Sequence, residues 1–119
     1  IVSSGAGLGG SPISGGYAGA KRMQMFLASY LQGVSDARSL GLRFVALVPK
    51  QLIAGTEIAE RAATAYGERA GISAEKYMER FGTPLTSDDV ARVIVDVLRG
   101  ELAPGVQVLG VTGKGVEPI

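Results

Sequence analysis

The run Leu42-Arg43-Phe44-Val45-Ala46-Leu47-Val48 is apolar at six of its seven positions and ends at Pro49. Short, rich in β-formers and without polar alternation, it fits a strand covered on both faces, the situation of a parallel sheet sandwiched between helices. Proline carries no amide hydrogen for a ladder and closes the strand. A strand of this kind requires helices on two sides, and the flanking sequence has the patterns to supply them.

Upstream, Gly16 to Gln32 is helix-compatible, with Gly33 placed as its C-terminal stop. Ala18, Ala20, Met23, Met25, Phe26, Leu27, Ala28, Tyr30 and Leu31 cover nearly the whole circumference, so burial is expected on more than one side. The sheet takes one side; the other needs a missing part of the chain or a second copy, and a homo-oligomer through the 17–31 helix is expected. Downstream, Thr56 caps a helix to Ala70 before Gly71, and Ser73 caps another to Phe81 before Gly82. These form a lid-like excursion, 50–85, of the kind that covers a substrate pocket, with Tyr66, Tyr77 and Met78 available to line it.

Thr86-Ser87-Asp88-Asp89 is a cap with acids in the first turn. Val90, Val93, Ile94, Val97 and Leu98 follow at helical spacing, and Gly100 ends the helix. Val106 to Val111 reads as a last strand, with Thr112 to Gly115 as its turn. At the other end Ile1 to Ser4 is the tail of a strand entering a glycine-rich loop, Gly5 to Gly16.

Composition narrows the chemistry. A net charge of +1, with basic residues spread along the chain, offers no electrostatic case for nucleic acid or an anionic membrane. No apolar run is long enough to span a bilayer, and no signal-peptide layout opens the chain. Without Cys there are no disulfides, and a cytoplasmic location is expected. The absence of His removes imidazole acid-base work and the usual zinc sites, leaving Tyr, Lys and carboxylates to handle protons. The first residue, Ile1, fits a fragment or a processed chain.

Two patterns then compete as functional signals. Gly5-Ala6-Gly7-Leu8-Gly9-Gly10 satisfies G-x-G-x-x-G, but the following Ser11-Pro12 opens a helix poorly and the next strand lacks the expected terminal acid. It is not read as a dinucleotide loop. Tyr17 and Lys21 stand four apart, on one face of a helix. A phenol with a pKa of about 10 is a poor acid or base at neutral pH, and a neighbouring ammonium favours its ionised form. A tyrosine so assisted can exchange a proton with an alcohol or carbonyl.

Val2-Ser3-Ser4, Tyr17-Ala18-Gly19-Ala20-Lys21 thirteen residues after Ser4, and the apolar strand closing at Pro49 stand in an order that resembles the C-terminal half of the short-chain dehydrogenase/reductases. The resemblance covers essentially all 119 residues. It implies an α/β fold, a partial doubly wound Rossmann-type parallel sheet of about three strands with flanking helices. It also implies an oxidoreductase using NAD or NADP on a small carbonyl or alcohol substrate, with no metal. By that resemblance Tyr17 exchanges the proton, Lys21 assists it and binds the nicotinamide ribose, Ser4 hydrogen-bonds the substrate oxygen, and Pro49 leads into the nicotinamide-side loop. Ser3, fourteen residues before Tyr17, is the poorer match.

Two departures accompany the likeness. Pro-Gly with a Thr five positions after the Pro is the usual pattern, whereas Lys50 follows Pro49 here, Ala54 stands at that spacing and Thr56 comes two later. The phosphate-binding loop and cofactor discriminator belong to an N-terminal half that this sequence does not contain. The alternative expectation is a non-catalytic remnant or assembly subunit that uses the apolar helix as an interface.

Overall fold

Ala46 and Val48 pack with Met25 and Ala28, while Val45 and Leu47, one residue out of phase, pack with Leu109, Val93, Ile94 and Val97. Successive side chains of a strand point to opposite faces, so this short strand is closed on one face by the helix containing Met25 and on the other by the helix containing Val93. The apolar stretch Val45 to Val48 is thereby explained, with neither face left to water, whereas Leu42 at the start of the run is 52% exposed. Each fully buried Val or Leu contributes about 1.5–3 kcal/mol of transfer free energy.

The computed structural model describes residues 1–102 and 104–119. Its elements are α1 (Ala6–Gly9), α2 (Gly15–Ala37), β1 (Ala46–Pro49), α3 (Glu57–Ala70), α4 (Ala74–Glu79), α5 (Ser87–Arg99), β2 (Val108–Thr112) and β3 (Gly115–Pro118). The strand order is β1-β2-β3. β1 and β2 run parallel, with Leu47 opposite Leu109 and Pro49 opposite Val111, and α3, α4 and α5 form the crossover between them.

On the other edge of β1 the first residues run parallel to it. The Ser3 amide donates to Leu47 O (2.7 Å), Leu47 N to Ile1 O (2.8 Å) and Gly5 N to Pro49 O (2.7 Å). The expected strand tail is therefore present as a short parallel edge, and it brings Ser4 to the carboxyl end of β1.

The fold is thus mixed α/β with flanking helices, and the sheet departs from the all-parallel expectation. β3, not expected from the sequence beyond the turn Thr112 to Gly115, folds back antiparallel to β2 with Thr112 opposite Gly115. The close approach at this turn explains Gly113: a Cβ there would collide with the carbonyls of Thr83 and Pro84.

Several boundaries also move: α4 ends at Glu79 rather than at the expected Phe81, and the last expected strand, Val106 to Val111, runs from Val108 to Thr112. Gly33 does not stop α2, which continues to Ala37. The strand expected from Leu42 begins only at Ala46. A common cause accounts for these last two: side chains of the last turns of α2 hold the connecting segment. Ser35 Oγ donates to Leu42 O (2.9 Å) and accepts from Leu42 N (3.0 Å), and Gln32 Oε1 accepts from Phe44 N (2.8 Å). Backbone groups engaged this way cannot enter a ladder.

The excursion between β1 and α5 is tied at its base. Ile53 bridges Leu85 in parallel, and Ala54 N donates to Leu85 O (2.8 Å). Leu85 is fully buried with Val90 and Val111, so the lid is anchored to the core at its return. On α5 the face Val90, Val93, Ile94 and Val97 packs as its spacing predicts, but Leu98 is 81% exposed.

Candidate active site

In parallel α/β sheets ligands bind beyond the carboxyl ends of the strands. At that end of β1 lies a cleft of about 500 Å³. Ser4 from the parallel edge, Tyr17 from the first turn of α2 and Pro49 from the end of β1 line it together. Lys21 is not among the lining residues. Its Nζ lies 5.6 Å from the centroid of the Tyr17 ring and donates to Val2 O at 3.2 Å.

Each of these positions has a local cause. Ser4 Oγ accepts from Ala6 N (3.2 Å), which orients it at the start of the α1 turn. Ser3 next to it points the other way, is 4% exposed, and donates its hydroxyl to Lys21 O (2.7 Å). The two adjacent serines are thus divided between a packing bond and the cleft. Tyr17 is 53% exposed, held by the helix and open to the cleft.

The glycine-rich loop is occupied with packing. Gly5 N donates to Pro49 O, Ala6 N bonds Ser4 Oγ, Gly7 N donates to Ser4 O, Leu8 N to Gly5 O and Gly10 N to Ala6 O. A Cβ on Gly7 would meet Arg22 N at 2.8 Å and Met25 Cε at 2.9 Å. The glycine is there to let the loop lie against the backbone of α2. With the amides of Gly5, Ala6, Gly7, Leu8 and Gly10 already bonded within the chain, this loop does not present the row of free amides that a pyrophosphate cradle needs.

The lid supplies the far wall. Ile58, Ala62 and Tyr66 of α3 and Tyr77 and Phe81 at α4 line the same cleft. The Tyr66 and Tyr77 rings are stacked, 5.4 Å between centroids, and Phe81 meets Tyr77 edge-on at 5.9 Å. The Tyr66 hydroxyl hydrogen-bonds Ser11 Oγ, joining the lid to the loop before α2. Met78, the third lid residue picked out in the sequence, lines a neighbouring cavity with Glu75 and Pro84. Thr56 acts as a cap: its side chain accepts from Ala59 N (3.2 Å) and donates to Ile53 O (2.8 Å).

Sequence reasoning missed Ser11, Ile13, Ile58 and Phe81 as cleft residues, and reached Lys50 only as part of the segment Pro49 to Thr56 beyond the strand. No spacing signal marks them, because they converge from separate elements. Lys50, immediately after Pro49, is the one whose position carries a signal, since the loop beyond a parallel strand is where ligands sit.

Among the described residues no cluster of three or more His, Cys, Asp or Glu side chains is placed to hold a metal. No helix among them is long and apolar enough to cross a membrane. No protein-family model matches the chain, and neither does any curated protein or solved structure. The class defined by the fold and cleft is a mixed α/β chain with a polar Ser and Tyr facing an aromatic wall at the carboxyl end of a parallel strand.

Proposed function

We propose that this chain is the catalytic and substrate-side half of an NAD(P)-dependent oxidoreductase of the short-chain dehydrogenase/reductase kind. In this reading its parallel strands are the late strands of a Rossmann-type sheet, and the dinucleotide-binding half lies outside these residues. The observation that carries the reading is the convergence of Ser4, Tyr17 and Pro49 on one cleft, with the Lys21 ammonium beside the Tyr17 ring.

The chemistry then assigns each residue a task. A substrate carbonyl oxygen accepts hydrogen bonds from Ser4 Oγ and the Tyr17 hydroxyl, both positioned before charge develops. A nicotinamide, when bound in its reduced form, supplies the hydride that adds to the carbonyl carbon. The oxygen that gains charge takes the Tyr17 proton, and the C=O bond becomes the C–OH of an alcohol; alcohol oxidation is the reverse. Lys21 keeps a positive charge beside the ring as the proton leaves and is the residue to bind the ribose hydroxyls. The nicotinamide end fits the residues present, whereas the pyrophosphate, with the Gly5, Ala6, Gly7, Leu8 and Gly10 amides bonded internally, needs the other half.

A second reading is favoured by one observation. Met23, Phe26 and Tyr30 on α2 are each more than half exposed, at 58%, 63% and 57%. An unpartnered apolar face of this kind fits a second copy, and it equally fits an assembly subunit without catalysis. Titration of NADH and NADPH against the chain alone and joined to its upstream sequence separates the two. Binding only by the longer protein, with turnover lost on order of 10²–10⁴-fold in Tyr17→Phe, supports the oxidoreductase. Binding by neither favours the interaction subunit.

A further inference from the structure

Resting on the oxidoreductase reading, the cleft itself indicates what kind of carbonyl compound it takes. Its walls away from Ser4 and Tyr17 are Ile13, Ile58, Tyr66, Tyr77 and Phe81. Ile13 and Ile58 are 49% and 79% exposed, so apolar surface stands open at the rim of the cleft. Burying it on a ligand is favourable in proportion to the area removed from water.

Charge points the same way. Among the described residues Lys50 is the only charged one lining the cleft, and its ammonium is paired with the Glu117 carboxylate on β3. Lys21, outside the lining, already donates to Val2 O. Among the described residues no carboxylate lines the cleft either, so a cationic ligand finds no ion-pair partner there. An anionic group entering it meets a lining cation already paired with Glu117 and gains less attraction to offset its lost hydration than an unpaired ammonium would give.

We propose that the cleft selects an uncharged aldehyde or ketone with an apolar, aromatic-sized body, and that the Lys50–Glu117 pair is the device that turns away carboxylate- or phosphate-bearing substrates. Glu117 is then a specificity-determining residue that acts through Lys50 without touching the substrate. Its removal would free a cation at the carboxyl end of β1.

The test uses acetophenone and 4-acetylbenzoate, which share a carbonyl and an aromatic body and differ by one carboxylate. Each is titrated by NMR into the 119-residue chain and into its Glu117→Gln, Lys50→Met and doubly substituted forms, with amide dispersion confirming that each is folded. Acetophenone is expected to shift the Tyr66 and Tyr77 ring resonances equally well in all four, and 4-acetylbenzoate to bind the unaltered chain about tenfold more weakly. Glu117→Gln is expected to close that gap to about twofold, and Lys50→Met, alone or added to Glu117→Gln, to leave it open. Binding of the carboxylate as tight as that of the ketone by the unaltered chain would overturn the proposal. So would an unchanged ratio in Glu117→Gln, or the absence of shifts at Tyr66 and Tyr77. No cofactor or turnover enters this readout, so a failed oxidoreductase reading shows instead in the NAD(P)H and Tyr17→Phe measurements.

Discussion

The hydroxyl of Ser3 donates a 2.7 Å hydrogen bond to the carbonyl oxygen of Lys21, across 18 positions of sequence. It joins the parallel edge beside β1 to the second turn of α2, and so sets the distance between Ser4 on one element and Tyr17 on the other. A buried bond at Ser3 positions an open hydroxyl at Ser4.

Substituting the two serines separately divides structure from chemistry. Ser3→Ala removes the bond that ties the parallel edge to α2, where the Lys21 carbonyl keeps only its helical partner, and should cost about 1 kcal/mol in urea unfolding. Ser4→Ala should change stability by less than about 0.5 kcal/mol, yet lower carbonyl turnover of the complete enzyme on the order of 10²-fold. Equal effects of both on stability, with turnover intact in Ser4→Ala, would remove Ser4 from the site.

Within the glycine-rich loop the glycines are not equivalent. A Cβ on Gly7 is driven into Arg22 N and Lys21 C, at 2.8 and 2.9 Å, whereas one on Gly9 meets nothing within 4 Å. Gly7→Ala should destabilise the chain by about 1–3 kcal/mol through overpacking. Gly9→Ala, on the exposed side of the short α1 turn, should be neutral or stabilising by a few tenths of a kcal/mol, about as expected from reduced unfolded-state entropy. Thermal unfolding of the pair measures the difference.

At the start of α5 the Thr86 hydroxyl donates to Asp89 Oδ2 at 2.6 Å and the Thr86 amide to the same oxygen at 3.0 Å. These bonds hold the Asp89 carboxyl below the usual carboxylate range, the hydroxyl first and the amide second. A carboxyl depressed in the folded state stabilises fully above its unfolded pKa of about 3.9, and the contribution is lost as pH falls through the lower folded value. Circular dichroism melts between pH 6 and pH 3 should therefore show a decline in melting temperature that is shallower in Asp89→Asn. A decline of equal steepness in the variant would place the acid sensitivity elsewhere.

Phe26 stacks on Tyr30, 5.8 Å between centroids, on the outer face of α2. If a second copy covers this face, light scattering should give twice the monomer mass for the chain. Phe26→Glu, at a position already 63% exposed, should then give a monomer whose far-ultraviolet spectrum is unchanged. A monomeric unaltered chain would leave this face without a self-partner.

Local signals account for most of what is legible in the sequence. Thr56, Ser73 and Thr86 each accept a hydrogen bond from a backbone amide three residues on, and Gly71 and Gly100 close their helices in the left-handed conformation. Caps depend on residues within one turn, so they are readable without the fold. The same holds for Tyr17 and Lys21 on one helical face and for the two-sided apolar strand ending at Pro49.

Helix length and strand onset escape that reading because long-range partners decide them. Gly33 permits a stop, but Ser35 gains its bonds to Leu42 only if the helix continues, and these with the Gln32 bond to Phe44 withhold both residues from the sheet. The direction of β3 likewise depends on the turn fitting beneath the Thr83 and Pro84 carbonyls.

The sequence by itself determined the mixed α/β class, the helix caps, and the pairing of a tyrosine with a lysine, because these rest on spacing and propensity within a few residues. Only the tertiary structure decided that Ser4 and Tyr17 share a cleft, that Ser11 bonds Tyr66 across 55 positions, and that Lys50 is answered by Glu117 across 67. The physical reason is that a site's walls and charge balance are made by side chains distant along the chain, which meet only after the sheet and its crossover have formed.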